Sequence, residues 1–333
     1  MYGLRFMRQR IDTIQALRGI AILYIVLYHA GNIFNFQIFS KGSTGIAVFF
    51  VISGFTISYQ YAQKKNRGIS EALLFTKKRI ARIYFPYLLP FAIMLLLFFI
   101  TGKGPEYARD FSNIVRNIFL VQPPTQSIHP YAWFLTYIVY FYATFGILVI
   151  IFRLNAFTYS LLMILPYLLS HMLGMHVTQD TIPFTFDNFY FASGVLISVF
   201  FNRKEIRFKN QYALLALIFF LVVPFLESSE FLFLAATVLL FFIYSKSTLS
   251  LAFLNKMGDA SYSIYLIHAV VLSILKNVID DRGIFTFLIF LVGCIGAGFL
   301  YYVFIEQPIV KYAYGLLGIK STRAPIYQVT PVE

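Results

Sequence analysis

The chain has 333 residues, of which 59% are hydrophobic and 12% are charged, and its mean hydropathy is +0.74. Soluble globular domains carry roughly 25% charged residues, so this composition excludes that class. Apolar runs long enough to cross hydrocarbon recur along the sequence, without the alternation of a β-barrel. We therefore predict an all-α, polytopic transmembrane helical bundle.

We predict about ten spans, with both termini on the cytoplasmic side. With that orientation, the inner segments hold 20 Lys and Arg residues and the outer segments hold six, as the positive-inside rule requires. The net charge of +13 is then mostly a matter of topology, and nucleic acid is not expected as a partner. The predicted spans are residues 13–32, 44–62, 84–101, 131–152, 157–174, 185–201, 211–226, 231–245, 259–278 and 284–305.

The predicted organisation is a single transmembrane domain, residues 1–320, followed by a polar cytoplasmic tail, residues 321–333. The longest predicted cytoplasmic loop, residues 63–83, is strongly basic. The lone cysteine, Cys294, cannot form a disulfide within the chain. Histidines and carboxylates show no metal-ligand spacing, so no metal is expected.

The first span carries two ionisable residues, Arg18 and His29, eleven residues apart. Eleven helical steps rotate about 1100°, close to three full turns, so both side chains share one face roughly 16 Å apart along the axis. Arg18 alone is equally consistent with snorkelling to the headgroups, and His29 with an interfacial position. Because Gln15 also lies on that face, we favour a cavity that binds an anion near Arg18 and moves a proton at His29.

The second and third spans each begin with a distinctive segment. In GIAVFFVISGF, Ser53 and Gly54 indicate close helix packing, with room for a substrate passage beside it. In TKKRIARIYFPYLLP, Arg79 and Arg82 lie three residues apart on a helix entering the third span. They either anchor the helix at the membrane or hold the phosphates of a nucleotide-like donor.

Later segments add an aromatic residue and a polar stripe. Trp133, the only tryptophan, either belongs to an aromatic belt or stacks on a sugar ring. Ser261, Tyr265 and His268 recur at helical spacing on an otherwise apolar helix, and His268 is either structural or catalytic. Near the inner end of the last span, Glu306 is expected to pair with Arg18, Arg79 or Arg82, as a structural or orienting group.

In this order the motifs resemble those of the membrane-bound acyltransferase family 3, which includes O-acetyltransferases of bacterial surface polysaccharides. The opening IQALRGIA is most similar to the branch that modifies exopolysaccharides. The resemblance covers residues 11–310 and rests on a first-span Arg and His pair, an FFxxSGF segment, an RxxR pair, an SYxxYLxH segment and a final ExP. The matching residues are Arg18, His29, Phe49, Phe50, Ser53, Gly54, Phe55, Arg79, Arg82, Ser261, Tyr262, Tyr265, Leu266, His268, Glu306 and Pro308.

The resemblance implies an integral inner-membrane O-acyltransferase. Such an enzyme moves an acyl group, by expectation acetyl, from cytoplasmic acyl-CoA to a hydroxyl of a surface or lipid-linked glycan. Acyl-CoA is then a co-substrate, and no bound cofactor is implied. His29 would be a general base or be transiently acylated, with His268 a second catalytic candidate. Arg18, Arg79 and Arg82 would bind the donor, while the residues expected to line the substrate are Ser53, Gly54, Trp133 and Tyr265.

The sequence departs from the family at one point and leaves two other functions open. Many members carry a glutamate a few residues after the tryptophan, where this chain has Ile138. The alternatives are a glycan exporter or flippase and an acyltransferase for a small hydroxylated metabolite.

Overall fold

The computed structural model describes residues 12–34, 42, 44–62, 68–201, 251–275 and 283–319. Within these ranges all regular structure is helical, which confirms the all-α prediction. The helices are α1 (Asp12–Phe34), α2 (Thr44–Ala62), α3 (Ile69–Thr101), α4 (Phe111–Ile118), α5 (Trp133–Phe145), α6 (Ala156–Met172), α7 (Asp187–Phe201), α8 (Ala252–Asp259), α9 (Ser261–Leu275), α10 (Ile284–Tyr301) and α11 (Gln307–Leu316). Two π-helical turns, Gly146–Ile151 and Tyr302–Glu306, continue α5 and α10.

Within the described ranges, five helical stretches are long and apolar enough to cross a membrane. They are Ile14–Phe34, Thr44–Tyr61, Ile69–Thr101, Trp133–Ile151 and Ile284–Leu316. A sixth is formed if α8 and α9, which are bent by 67° at Ala260, count as one span. Predicted spans 157–174 and 185–201 fall on the shorter α6 and α7. The spans at 211–226 and 231–245 and the tail at 321–333 lie outside the described residues, so the count of ten stays a prediction.

The basic loop predicted at residues 63–83 is wrong from Ile69 onward, because α3 begins there. This part of α3 buries Ala72 and Phe75 while Lys77 is exposed, so it is an amphipathic helix rather than a loop. Its charged residues lower the mean hydropathy, and a search for apolar runs therefore places the start of the helix too late.

Several helix pairs approach closely at glycines. A Cβ added to Gly54 of α2 would lie 2.1 Å from the carbonyl oxygen of Phe191 in α7. A Cβ on Gly194 of α7 would in turn lie 2.0 Å from the carbonyl oxygen of Val51 in α2. Helix α8 packs on α1 in the same way, since a Cβ on Gly258 would lie 1.8 Å from the Gln15 carbonyl oxygen.

The connector between α3 and α5, residues 102–132, folds back along α3. Near its start, Arg109 Nη2 donates to the Gly102 carbonyl oxygen at 3.2 Å. Farther on, Tyr87 and Tyr84 of α3 donate to the carbonyl oxygens of Asn117 at 3.1 Å and Phe119 at 2.8 Å. Helix α4 therefore runs antiparallel to α3, and the connector returns to the bundle interior before α5 begins.

Candidate active site

Arg18 and Glu306 each bond to a serine at the start of α9. Arg18 Nε donates to Ser261 Oγ at 3.1 Å, and Ser263 Oγ donates to the Glu306 carboxylate. Both serines are completely buried. The guanidinium groups of Arg18 and Arg82 also lie within electrostatic range of Glu306. We call these five residues the arginine–glutamate cluster.

Arg79 and Arg82 face different helices. Arg82 Nε donates to the Tyr314 hydroxyl of α11 at 2.8 Å. Arg79 Nη2 lies 3.4 Å from Gln60 Oε1, and its guanidinium carbon lies 4.8 Å from the ring centre of Tyr142. The structure thus brings Arg82 into the arginine–glutamate cluster and leaves Arg79 among aromatic rings. The two guanidinium groups therefore do not lie together as a single phosphate-binding pair.

A second cluster contains the predicted catalytic histidines. The His29 ring stacks on Tyr131 at a centroid distance of 3.8 Å, and His268 stacks on the same tyrosine at 4.8 Å. The two histidine rings are 5.4 Å apart. Tyr265 donates its hydroxyl hydrogen to the carbonyl oxygen of Tyr131 and so fixes the residue that contacts both histidines.

Hydrogen bonding sets the protonation pattern of His268. Its Nδ1 lies 3.1 Å from the Ile264 carbonyl oxygen, and a carbonyl can only accept, so the hydrogen resides on Nδ1. The opposite nitrogen, Nε2, is therefore a bare acceptor. It is buried and has no hydrogen-bond partner among the residues that the structure describes.

His129 is a third histidine in this region, and no role was predicted for it. It is completely buried in the connector just before α5, and its Nε2 donates to the Leu266 carbonyl oxygen of α9 at 2.9 Å. Burial lowers the pKa of His129 to about 4, so its ring is neutral at physiological pH. The segment that contains it, HPYAW at residues 129–133, is typical of an aromatic boundary, and nothing in its spacing indicates contact with α9. We call His29, His129, Tyr131, Tyr265 and His268 the histidine–tyrosine cluster.

Helices α1 and α9 each contribute residues to both clusters. Arg18 and His29 of α1 contact Ser261 and His268 of α9, respectively, so the two helices run in the same direction. The predicted common face of Arg18 and His29 is therefore confirmed, because both residues point to α9. At 1.5 Å per residue, the clusters are separated by roughly 10–16 Å along these helices.

The remaining predicted residues lie around this axis. Gly54 is a packing position against α7, as predicted, and the substrate passage beside it stays a prediction. Ser53 is partly buried on the same helix. Trp133 follows Tyr131 by two residues, is partly buried, and packs edge-on against Tyr137 at 5.9 Å rather than on a histidine. Among the described residues, no three His, Cys, Asp or Glu side chains gather as metal ligands.

Comparison with known proteins defines the class. The profile of acyltransferase family 3, described as an acyltransferase domain, matches residues 11–306. The chain belongs to this family, as its motifs indicated, and its described residues include helices long and apolar enough to cross a membrane.

One relative and the solved structures complete the comparison. A Rhizobium radiobacter protein named "Protein 2 in picA locus" is 35% identical over 92 residues, which are 27% of this chain and 47% of that protein. The chain thus spans about half the length of the curated relative that it matches. No solved structure matches the chain.

Proposed function

We propose that the protein is a multi-pass O-acyltransferase of the cell inner membrane. It would transfer an acetyl group from cytoplasmic acetyl-CoA to a hydroxyl of a surface or lipid-linked glycan, within a single domain of residues 1–320. The observation that carries the proposal is the common orientation of Arg18 and His29 toward α9, with polar partners at both levels. An anion site and a proton acceptor within one helix pair suit a donor with phosphates at one end and a thioester at the other.

The arginine–glutamate cluster would receive the donor. CoA phosphates require cationic partners, and Arg18 and Arg82 lie together there while Arg79 lies nearby on α3. Glu306 orients the arginines through charge, and its bond from Ser263 fixes the position of the carboxylate. The pantetheine arm would then extend along α1 and α9 toward the histidine–tyrosine cluster.

The transfer step would occur at His29. As a general base, the His29 ring accepts the proton of the glycan hydroxyl while the oxygen attacks the thioester carbonyl carbon. The carbon–sulfur bond then breaks, and the thiolate of CoA receives that proton, which leaves His29 neutral again. General-base assistance of this kind typically contributes about 10²- to 10⁴-fold in rate. Transient acylation of His29 is the alternative route.

Other residues of the site would position the reactants. His268 presents a bare, buried Nε2 beside His29 and would accept a hydrogen bond from the acceptor or from a water molecule, as a second catalytic group. Tyr265 holds Tyr131 against both histidines. Ser53 and Gly54 would line the substrate passage, and Trp133 at the start of α5 would stack on a sugar ring.

The test is the alkali-labile acetate on the surface polysaccharide of the native host. A deletion strain is complemented with wild type, with His29→Ala, or with His176→Ala, an exposed histidine that serves as the matched control. Membrane expression and polymer yield are measured in parallel. We expect loss of acetate with His29→Ala at normal polymer yield, and wild-type acetate with His176→Ala. Unchanged acetate with His29→Ala would contradict the mechanism, and reduced polymer yield in the deletion strain would favour an exporter.

Membrane vesicles from the same strains test the donor. Labelled acetyl-CoA added to the cytoplasmic face should label the glycan with wild type and not with His29→Ala. Labelling that persists without the protein would contradict the assignment of acetyl-CoA as its co-substrate.

A further inference from the structure

Helix α4 has an unusual distribution of polar and apolar side chains. Its asparagines, Asn113 and Asn117, are almost completely buried, whereas Phe111 is 78% exposed and Phe119, just after the helix, is 58% exposed. On a helical wheel Phe111, Val115 and Phe119 fall within about 80°, so the exposed side is an apolar stripe. The exposed side of a helix that packs on a membrane span is suited to contact lipid.

The buried asparagines hold this orientation. Asn113 Nδ2 donates to the Tyr107 and Gln126 carbonyl oxygens at 3.0 and 3.1 Å. Asn117 Nδ2 donates to the Gln126 carbonyl oxygen, and its Oδ1 accepts from the Ile128 backbone at 2.9 Å. Rotating α4 about its axis to bury the apolar stripe would break these hydrogen bonds. The asparagines therefore keep the apolar stripe on the exposed side of the helix.

A single cation, Arg116, borders the apolar stripe. It is exposed, and its guanidinium has no hydrogen-bond or ion-pair partner in the part of the chain that the structure describes. No carboxylate occurs between Phe111 and Gln179 in the sequence. Asp110 begins the helix by capping the backbone of Ser112 and Asn113, and it lies outside that interval. A guanidinium beside lipid requires an anion, and the phosphate of a lipid fits this need.

The apolar stripe is close to the proposed reaction site. Asn117, the residue after Arg116, bonds to the backbone of Ile128, which directly precedes His129. Tyr87 also links the two regions, because it donates to the Asn117 carbonyl oxygen and its ring lies 6.3 Å from that of His129. A sugar attached to a phosphate held at Arg116 would therefore lie near the segment that carries His129 of the histidine–tyrosine cluster.

We propose that Arg116 and the apolar stripe of α4 bind the phosphate and chain of a polyisoprenyl phosphate lipid that carries the glycan acceptor. This inference rests on the proposed function, because only that function makes the bound lipid an acyl acceptor. It narrows the proposed acceptor from a surface or lipid-linked glycan to the lipid-linked form. The phosphate pairs with the Arg116 guanidinium, and the polyisoprenyl chain lies against Phe111, Val115 and Phe119.

The experiment measures lipid binding without any acyl donor. The full-length protein is placed in phosphatidylcholine nanodiscs that contain a long-chain polyisoprenyl phosphate, and the lipid retained is quantified by native mass spectrometry. Arg116→Gln is compared with wild type and with Arg109→Gln, an exposed arginine of the same connector that donates to the Gly102 carbonyl oxygen. Arg116→Lys keeps the charge, and thermal unfolding reports whether each variant is folded.

We expect Arg116→Gln to weaken retention about tenfold or more, as loss of a charge-assisted bond to phosphate implies. Arg109→Gln should stay near wild type, and Arg116→Lys should fall between them. Equal retention by folded Arg116→Gln would overturn the inference, and so would equal competition by phosphatidylglycerol, because the site would then bind any anionic lipid. If wild type retains the polyisoprenyl phosphate but transfers no acetyl group to any acceptor, the proposed function fails while this inference stands.

Discussion

Substitution of Gly54 by alanine tests whether this position of the SGF segment is needed for the close packing of α2 and α7. The added Cβ would lie 2.1 Å from the Phe191 carbonyl oxygen and 3.1 Å from the Val195 backbone nitrogen, and both obstacles are backbone atoms. Helices α2 and α7 must therefore separate by about 1 Å. Overpacking of this kind costs roughly 1–3 kcal/mol, and we expect the upper part of that range because no side chain can rotate away.

The assay is thermal or denaturant unfolding of purified protein in detergent, together with acyl transfer at a temperature where every variant is folded. Gly293→Ala of α10 is the control, since nothing lies within 4 Å of its added Cβ. The double variant Gly54→Ala with Gly194→Ala should lose less stability than the sum of the two, because one separation of α2 and α7 accommodates both methyl groups. If Gly54→Ala were as stable as Gly293→Ala and yet inactive, the packing argument would be refuted in favour of a direct substrate contact.

Three further predictions follow from the clusters. Burial lowers the pKa of His129 to about 4 in the folded protein, so the unfolded state binds more protons between pH 4 and 6.5. The free energy of unfolding should therefore fall by roughly 1 kcal/mol between pH 7.5 and 5.5. His129→Asn should remove that part of the pH dependence when unfolding is measured across this range. A double-mutant cycle of Ser263→Ala and Glu306→Ala should give a coupling of about 1.5 kcal/mol in unfolding, and additive effects would contradict their hydrogen bond. Tyr131→Leu should lower the kcat of acyl transfer about tenfold, because it removes the ring that stacks on His29. Tyr131→Phe keeps that ring and should retain most of the wild-type kcat. Equal losses in the two variants would assign the effect to the tyrosine hydroxyl instead.

Helical periodicity was enough to predict part of the site. The spacing of Arg18 and His29 predicts one face, and both residues indeed contact α9. The stripe of Ser261, Tyr265 and His268 was also visible, since these residues recur within one helix.

Contacts between distant segments were not predictable from one sequence. Arg18 and Ser261 are 243 positions apart, and no local pattern relates them. Ser263 was missed because it lies about 200° around the helix from Ser261, on the side that faces Glu306 rather than Arg18. His129 was missed for a similar reason, because its partner, the Leu266 carbonyl oxygen, belongs to the backbone and leaves no trace in residue type.

The π-helical turn at Tyr302–Glu306 changes how the end of the chain should be interpreted. A π turn closes its hydrogen bonds five residues apart, so it takes in one residue more than an α turn of the same rise. A helical wheel drawn at 100° per residue from Ile284 to Leu316 therefore assigns every residue after Tyr302 to the wrong face. Deleting one residue within this turn should regularise the helix, and the side chains beyond it, including Tyr314 beside Arg82, should keep their faces toward the bundle.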